Sequence, residues 1–204
     1  MITTRAPSEE FAVLQETLRG MLGQDLPYEY HVWLADEKPT AEVLSWCFDN
    51  GDKFGYEHYD VVSQFDADHI PSSSYLRTAL PAFSDGSVGY VAAPSVNSRG
   101  ADESWATRAR LQFEAYFHGP GQASLSPGWM PSCIGSHYLV RTEHLLKSGG
   151  IGPELDEDFS TSYLLTTNGH PGLFSINTAA VGEGPATFED CMKQVFPNVP
   201  LCEV

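Results

Sequence analysis

The stretch Tyr59–Pro71, YDVVSQFDADHIP, decides the architecture that we expect for this chain. Its apolar pair, Val61 and Val62, predicts a buried strand. Two acidic residues, Asp66 and Asp68, follow where that strand ends. In an open α/β sheet, ligands bind beyond the carboxyl ends of the strands. The stretch therefore predicts a ligand site at one edge of such a sheet.

The rest of the chain alternates between apolar runs and amphipathic helical patterns. We expect strands at residues 30–35, 59–65, 88–94, 133–141 and 172–181. We expect helices at residues 7–22, 40–51, 71–83, 102–117 and 156–169, and loops at residues 95–102 and 118–129. This alternation predicts an α/β fold with a mostly parallel central sheet and helices on both faces.

Composition narrows the classes of partner. The chain has 204 residues, 42% of them hydrophobic, which is enough for one domain with a sizeable core. Its formal net charge of −16 argues against nucleic acid as a partner and disfavours docking on an anionic membrane surface. An anionic substrate would therefore need a bound cation or a helix N-terminus.

Cysteine usage and hydropathy bear on the cellular compartment. The four cysteines form no zinc-type pair and are widely spaced, at positions 47, 133, 191 and 202, so we expect free thiols in a reducing compartment. No apolar run is long enough to span a bilayer, and the sequence shows no signal peptide. These features predict a cytoplasmic location.

Two of the predicted strands end in acid, one at Asp36 and the other at Asp66 and Asp68. Carboxylates gathered on one rim repel each other unless a cation lies among them, and Mg²⁺ or Mn²⁺ suits such oxygen ligands. Alternation along an extended chain would point Asp66 and Asp68 to the same side. The alternative is that a D-x-D pattern arises by chance and only forms a turn or a helix cap.

A second acidic group, Asp156, Glu157 and Asp158, opens the predicted helix at residues 156–169. Alone, this group is explained by the favourable interaction of acids with a helix N-terminus.

Two arginines on the predicted helix at residues 102–117, Arg108 and Arg110, could meet phosphate, although such side chains are more often solvated.

Several stretches of the chain together resemble a known family. They are VWLADEKPT, YDVVSQFDADHIPSSSYL, VGYVAAPS, CIGSHYLVRTEHLLKSGGIGPELDEDFSTSYLL and GHPGLF, in this order. The chain is similar over most of its length to family-2 glycosyltransferases of the GT-A fold, near the cellulose-synthase-like, processive branch. The resemblance implies a GT-A-type, Rossmann-like sheet. It also implies metal-dependent transfer of a sugar, with inversion, from a nucleotide-sugar donor to a glycan hydroxyl. The donor it implies is a UDP-sugar such as UDP-glucose.

The resemblance also implies roles for residues on the donor side. Asp36 matches the aspartate that contacts the nucleobase and ribose. Asp66 and Asp68 match the D-x-D pair that holds nucleotide and Mg²⁺ or Mn²⁺, with Asp68 the more direct metal ligand. For His69, which follows this pair, a hydrogen-bonding role beside the strand end is the preferred interpretation.

On the acceptor side, Asp158 matches the general base and Glu157 its neighbour. The segment with Ser136 and His137 matches the lining of the acceptor pocket, although a structural role for the histidine is an equal alternative. Trp129 could stack on a sugar ring, since aromatic faces suit the apolar side of a pyranose. The alternative for this tryptophan is a loop anchor packed on the core.

The chain departs from the family pattern at three places. Its first strand is short, Lys53 does not lie in the family's lysine motif, and Gln194 is not followed by the family's Arg-Trp pair. We therefore expect residues 1–204 to form one GT-A catalytic domain that is incomplete at its N-terminal strand, near residues 51–58 and at its C-terminal part. Relatives continue into transmembrane helices, which places the full-length form at the cytoplasmic face of a membrane.

Two other functions remain open from the sequence. The departures favour a catalytically degenerate, nucleotide-sugar- or cation-binding subunit. A sugar-nucleotide pyrophosphorylase would share the α/β layout and the metal, but the segment ITTRAPSEE lacks the Gly-rich basic loop that a triphosphate needs.

Overall fold

The computed structural model describes residues 1–5, 10–36, 40–43, 59–126, 130–152 and 157–195. The strands are β1 Ile2–Arg5, β2 Trp33–Asp36, β3 Val61–Asp66, β4 Ile70–Pro71, β5 Tyr90–Ala92, β6 Ser95–Arg99, β7 His137–Arg141, β8 Gly172–Phe174 and β9 Ala180–Glu183. The helices are α1 Phe11–Leu22, α2 Tyr75–Ala79, α3 Trp105–Tyr116, α4 Gln122–Ser124, α5 Thr142–Lys147, α6 Glu157–Thr167 and α7 Phe188–Val195.

Six strands form the central sheet, in the order β2-β1-β3-β7-β5-β8. The pairs β1–β2, β1–β3 and β5–β8 are parallel, whereas β7 runs antiparallel to both of its neighbours. Five strands therefore share one direction and β7 opposes them. The prediction of an α/β fold with a mostly parallel central sheet is confirmed.

Helix α1 shows how an amphipathic pattern is buried. Leu14, Leu18 and Met21 lie on one face and are buried against Phe65 of β3 and Tyr75 of α2. Spacing of three and four residues brings such side chains to one side of a helix, where the sheet covers them. The main core thus lies under the strand that carries the paired acids.

A second, smaller sheet contradicts the expectation of a loop at residues 95–102. Its order is β4-β9-β6, and β6 pairs in parallel with β9, with Ser95 opposite Ala180. The run expected as one strand at residues 172–181 is divided between β8 and β9, in different sheets. Polar residues dominate β6, so its local composition does not reveal a strand that a distant partner stabilises.

The second expected loop, residues 118–129, is also partly helical. A single π-helical turn, Phe117–Gly121, joins α3 to α4 with a kink at Gly119. The predicted helix at residues 40–51 lies mostly outside the described residues, of which 41–43 are helical. Among the described helices, none combines the length and the apolarity that crossing a bilayer requires.

Candidate functional site

The acids that close β3 form the first corner of the site, the β3 corner, made of Asp66, Asp68 and His69. Asp66 is the last residue of β3, and the chain then turns, with the His69 amide donating to the Asp66 carbonyl at 3.2 Å. The expected extended alternation is therefore wrong here, because a turn follows the strand. The turn still gathers the side chains: one ligand atom from each of the three residues lies within 4.8 Å of the others.

Hydrogen bonds fix the carboxylate of Asp68 in this corner. Its Oδ1 lies 2.7 Å from His69 Nδ1, and His69 Nε2 lies 3.2 Å from the Ser95 hydroxyl. Burial acts to raise the pKa of Asp68, but the His69 hydrogen bond and charge, with the Glu183 backbone N–H, hold that pKa below its usual value. Asp68 is therefore an anion, as a metal ligand must be.

The first turn of α6 forms the second corner, the α6 corner, made of Glu157 and Asp158. Asp158 Oδ2 accepts a hydrogen bond from the Gly135 amide at 2.8 Å, and its Oδ1 accepts from the Phe159 amide at 2.6 Å. A Cβ atom on Gly135 would lie 3.4 Å from Asp158 Oδ2 and 4.0 Å from Glu157 Oε1. Backbone donors and the helix N-terminus thus hold this carboxylate in place.

Both corners line one cavity of about 590 Å³. Asp66, Asp68 and His69 lie on its wall together with Asp158, although Glu157 is not among the lining residues. A cavity of this volume is in the range of roughly 300–1,000 Å³ that small-molecule sites occupy. The structure therefore brings together two acidic groups that are about ninety residues apart in the chain.

Ser136 connects the two corners. Its carbonyl accepts a hydrogen bond from the Asp66 amide at 2.9 Å, and the next residue towards the N-terminus, Gly135, holds Asp158. Its side chain lines the cavity and is 9% exposed, and its Oγ has no hydrogen-bond partner among the described residues. A buried hydroxyl without a partner is costly, which is consistent with a ligand or water that bonds to it.

His137 lies in the core and not among the lining residues, in contrast to the expected acceptor contact. Its Nδ1 is 3.1 Å from the Tyr75 hydroxyl, and its ring stacks on Phe65. Burial, followed by repulsion from His69, lowers the pKa of His137 to about 3, so the ring is neutral. Of the two interpretations offered by the sequence, the structural role fits this packing.

The expected edge carrying Asp36 is present in the backbone. Asp36 ends β2 opposite Arg5, and Asp66 ends β3 opposite Thr4, so the two strand ends flank β1 at one edge of the sheet. Of Asp36 only the backbone is described, and Trp129, Lys53 and Asp156 lie outside the described residues. The roles expected for these side chains stay predictions.

Sequence reasoning missed several polar residues of the cavity wall. Asn97, His118 and Glu183 line the cavity without having been considered, and the first of them lies on β6, where a loop was expected. Arg110, one of the two arginines considered for a phosphate contact, lines the cavity as well. One signal was available: Arg110 and Glu114 follow the buried Ala106 at four-residue steps, so they share its inward face. Charged residues on a buried helix face indicate a polar function there.

Cys133 also lines the cavity, but its thiol is not a nucleophile at neutral pH. Burial raises the pKa of this thiol to about 12, and reactivity belongs to the thiolate. The carboxylates of the cavity, and not this thiol, are therefore its candidate proton acceptors.

The sequence matches no family model and no curated protein. The fold does match solved structures. One is the mannosyltransferase PcManGT from Pyrobaculum calidifontis in complex with GDP-Man and Mn²⁺, with a TM-score of 0.67 and 18% identity over 92% of this chain. A second is S. aureus TarS in complex with UDP-GlcNAc, with a TM-score of 0.57 and 17% identity over 99% of this chain.

A third match is glucosyl-3-phosphoglycerate synthase from Mycobacterium tuberculosis in complex with Mg²⁺ and UDP. Its TM-score is 0.51, with 10% identity over 99% of this chain. The chain spans 56% of the length of PcManGT, 67% of the TarS structure and 79% of the synthase. At these identities the comparisons establish the fold: the chain has the α/β fold of GT-A glycosyltransferases.

Proposed function

We propose that this chain is a metal-dependent glycosyltransferase domain that transfers a sugar from a nucleotide-sugar donor to an acceptor hydroxyl. One observation carries the proposal: the β3 corner and the α6 corner line the same cavity. Sugar transfer needs a group that stabilises the departing nucleoside diphosphate and another that takes the proton of the nucleophile. The β3 corner and the α6 corner differ in the way that these two tasks require.

The β3 corner fits a hard divalent cation. Asp66 and Asp68 offer carboxylate oxygens, and His69 offers a ring nitrogen within the same 4.8 Å. Mg²⁺ takes one or two carboxylates and completes its octahedral shell with water and phosphate oxygens. When bound there, Mn²⁺ or Mg²⁺ would supply Lewis-acid stabilisation of the diphosphate. His69 orients Asp68 through its 2.7 Å hydrogen bond.

The α6 corner fits a general base. The Asp158 carboxylate accepts the proton of the acceptor hydroxyl, and the hydroxyl oxygen attacks the anomeric carbon of the donor sugar. The bond from that carbon to the phosphate oxygen breaks, and the diphosphate leaves with the electron pair. The hydrogen bonds from Gly135 and Phe159 fix the orientation of the carboxylate, and its remaining lone pairs are available to the acceptor.

The finer proposals rest on the family resemblance and on residue order. They are an inverting mechanism, a UDP-sugar donor, a glycan acceptor in polysaccharide synthesis, membership of the cellulose-synthase-like branch, and one catalytic domain at the cytoplasmic face of a membrane. Asp36 is proposed to contact the nucleobase, and Ser136 to contact the acceptor. The matched structures hold GDP-Man, UDP-GlcNAc or UDP, so the donor assay must include both GDP-sugars and UDP-sugars.

The test is a transfer and donor-hydrolysis assay with UDP-glucose, UDP-GlcNAc and GDP-mannose, each with Mn²⁺, Mg²⁺ or a chelator. We expect turnover with one nucleotide class, loss of turnover on chelation, and loss in both Asp68→Asn and Asp158→Asn. Full activity in both variants would overturn the assigned roles. An exposed-site variant, Asp102→Asn, is the matched control.

A second candidate is a binding subunit without turnover. It is favoured by the sequence after Gln194, where the family's Arg-Trp pair is missing. Calorimetry with Mn²⁺ and a nucleoside diphosphate separates the two functions, because binding without transfer or hydrolysis of any donor would support this second candidate.

A further inference from the structure

Two arginines of α3 differ sharply in their surroundings. Arg108 is exposed and donates to the carbonyl of Ala101. Arg110 lines the cavity and is 26% exposed. The two lie two residues apart on a helix, so they point to different sides of it. Only the second belongs to the site.

A buried carboxylate fixes Arg110. Glu114, one helical turn on, is 1% exposed, and its Oε1 accepts from Arg110 Nε at 2.6 Å. The same carboxylate accepts from both the backbone amide and the side-chain amide of Asn97 on β6. A charge so deeply buried is stable only when paired and hydrogen-bonded. Glu114 therefore locks an arginine and an asparagine into the cavity wall.

This wall is the one that carries the β3 corner. A Cβ atom on Gly182 would lie 2.4 Å from His69 Cε1 and 2.5 Å from Asn97 Oδ1, so the histidine and the asparagine flank one point of β9. Ser95, two residues before Asn97, bonds to His69. The Asn97 side chain thus lies between His69 and the Arg110–Glu114 pair.

Arg110 is a cationic side chain in a cavity whose other charged side chains are mostly acidic. Among the described lining residues it is the one lysine or arginine, facing Asp66, Asp68, Asp158 and Glu183. The chain carries a formal net charge of −16. Apart from Nε, the guanidinium nitrogens have no hydrogen-bond partner among the described residues. A fixed cation with unused donors beside a candidate metal corner suits a phosphate group.

We propose that Arg110, positioned by Glu114, forms a phosphate-binding subsite of this cavity, and that the phosphate it holds belongs to the nucleoside diphosphate. This inference rests on the proposed function for the identity of the ligand. Arg110 would contact the phosphate directly and share its charge with the cation of the β3 corner. Glu114 is a positioning residue, because it acts through Arg110.

The experiment is calorimetric titration of the whole chain with UDP, GDP and uridine in the presence of Mn²⁺. Arg110→Gln should weaken binding of the preferred nucleoside diphosphate by about 10- to 100-fold, as expected for loss of a charge-assisted hydrogen bond. Binding of the uncharged nucleoside should stay unchanged. Arg108→Gln, which removes the same charge from the same helix, should bind like the wild type.

A titration with inorganic phosphate at saturating nucleoside diphosphate distinguishes the source of the group. If Arg110→Gln leaves nucleoside diphosphate binding intact but abolishes this phosphate binding, the subsite holds an anionic group of the acceptor. If the Arg110→Gln and Arg108→Gln variants bind every probe with equal affinity, the proposal that Arg110 forms a phosphate-binding subsite is overturned. Arg110→Lys, which keeps the charge without the planar fork, should recover part of the affinity and covers the case in which the Gln variant does not fold.

Glu114 is tested by a double-mutant cycle. Glu114→Gln keeps the shape of the side chain but removes its charge, and it should weaken diphosphate binding in the wild-type background only. In the Arg110→Gln background the same change should have no further effect, because its influence passes through the arginine. Additive losses would assign Glu114 a purely structural role. If wild type binds no nucleoside diphosphate, the proposed function fails, and Arg110-dependent binding of phosphate alone still decides the subsite.

Discussion

The β3 corner and the α6 corner face one cavity but are built from different parts. In the β3 corner three ligand groups lie within 4.8 Å of one another, and the Ser95 hydroxyl of β6 lies 3.2 Å from His69 Nε2. In the α6 corner the Asp158 carboxylate stands at a helix start and is held by two backbone amides. Crowded anions call for a cation, whereas a carboxylate fixed by amides can serve as a base.

This difference teaches that acidity alone does not define a role. Each corner holds an aspartate whose carboxylate is hydrogen-bonded. The Asp68 carboxylate is hydrogen-bonded to the imidazole of His69 within the cluster, whereas the Asp158 carboxylate accepts hydrogen bonds from backbone amides. The proposed roles, metal binding for Asp68 and proton transfer for Asp158, therefore rest on the environment of each carboxylate and not on the residue type. Substituting the aspartate of each corner separately should therefore cause two different losses, of sugar transfer in one variant and of Mn²⁺-dependent nucleotide binding in the other.

The largest expected effect is that of Asp158→Asn. The amide cannot accept the proton, so transfer should fall by about 10²- to 10⁴-fold, the usual contribution of a general base. Binding of nucleoside diphosphate with Mn²⁺ should stay within about twofold, because the β3 corner is untouched. Steady-state turnover and calorimetry measure the two quantities. A matching loss of nucleotide affinity would contradict the division between the corners.

A smaller and different effect is expected for Asp68→Asn. Removing one anionic ligand should weaken Mn²⁺-dependent binding of nucleoside diphosphate by about 10- to 100-fold. Binding measured with a chelator should be unchanged. Paramagnetic broadening of water protons by Mn²⁺ checks the metal directly, with Asp158→Asn as the matched control. Undiminished Mn²⁺ binding by the Asp68 variant would remove the β3 corner from the mechanism.

The next prediction sharpens the geometry of the β3 corner. In Gly182→Ala the added Cβ would clash with His69 and Asn97, so we expect a loss of about 1–3 kcal/mol in the free energy of unfolding and weaker Mn²⁺ binding. Gly86→Ala is the control, since a Cβ there meets nothing within 4 Å. Urea unfolding compares the two. A Gly182 variant that matches the control in both properties would show that this corner adapts freely.

The last prediction concerns His137, which lies in neither corner and should affect stability but not function. Its folded-state pKa of about 3 is below the value near 6.5 in the unfolded chain, so the unfolded state binds more protons between these values. Stability should therefore decrease as pH falls below 6.5, by about 1.4 kcal/mol per pH unit from this group. In His137→Gln the pH slope of the unfolding free energy should be shallower by that amount. Equal slopes would mean that the ring is protonated in the fold.

Much of the site followed from local pattern. The apolar run before Asp66 predicted a strand that ends in acid, and the strand exists with Asp66 as its last residue. The acidic start of α6 was likewise visible. These features depend on neighbours along the chain, because alternation and first-turn acids act over a few residues.

The wall between the corners was not predictable in this way. A loop was expected where the structure has strand β6. This strand pairs with β9, which lies some eighty residues away in the chain, so no local pattern marks it as a strand. The burial of Glu114 and of His137 likewise depends on elements brought from elsewhere in the chain. Long-range pairing and desolvation decide such positions, and neither leaves a regular mark on the local sequence.

By itself the sequence determined the α/β class, the acid-ended strand and the acidic helix start, because these rest on periodicity and on charge near a helix terminus. Only the tertiary structure decided that Asp66, Asp68 and Asp158 share one cavity, that Arg110 faces it while Arg108 does not, and that His137 is core. The reason is physical: a side chain acquires its partner, its exposure and its pKa from atoms that the fold brings to it.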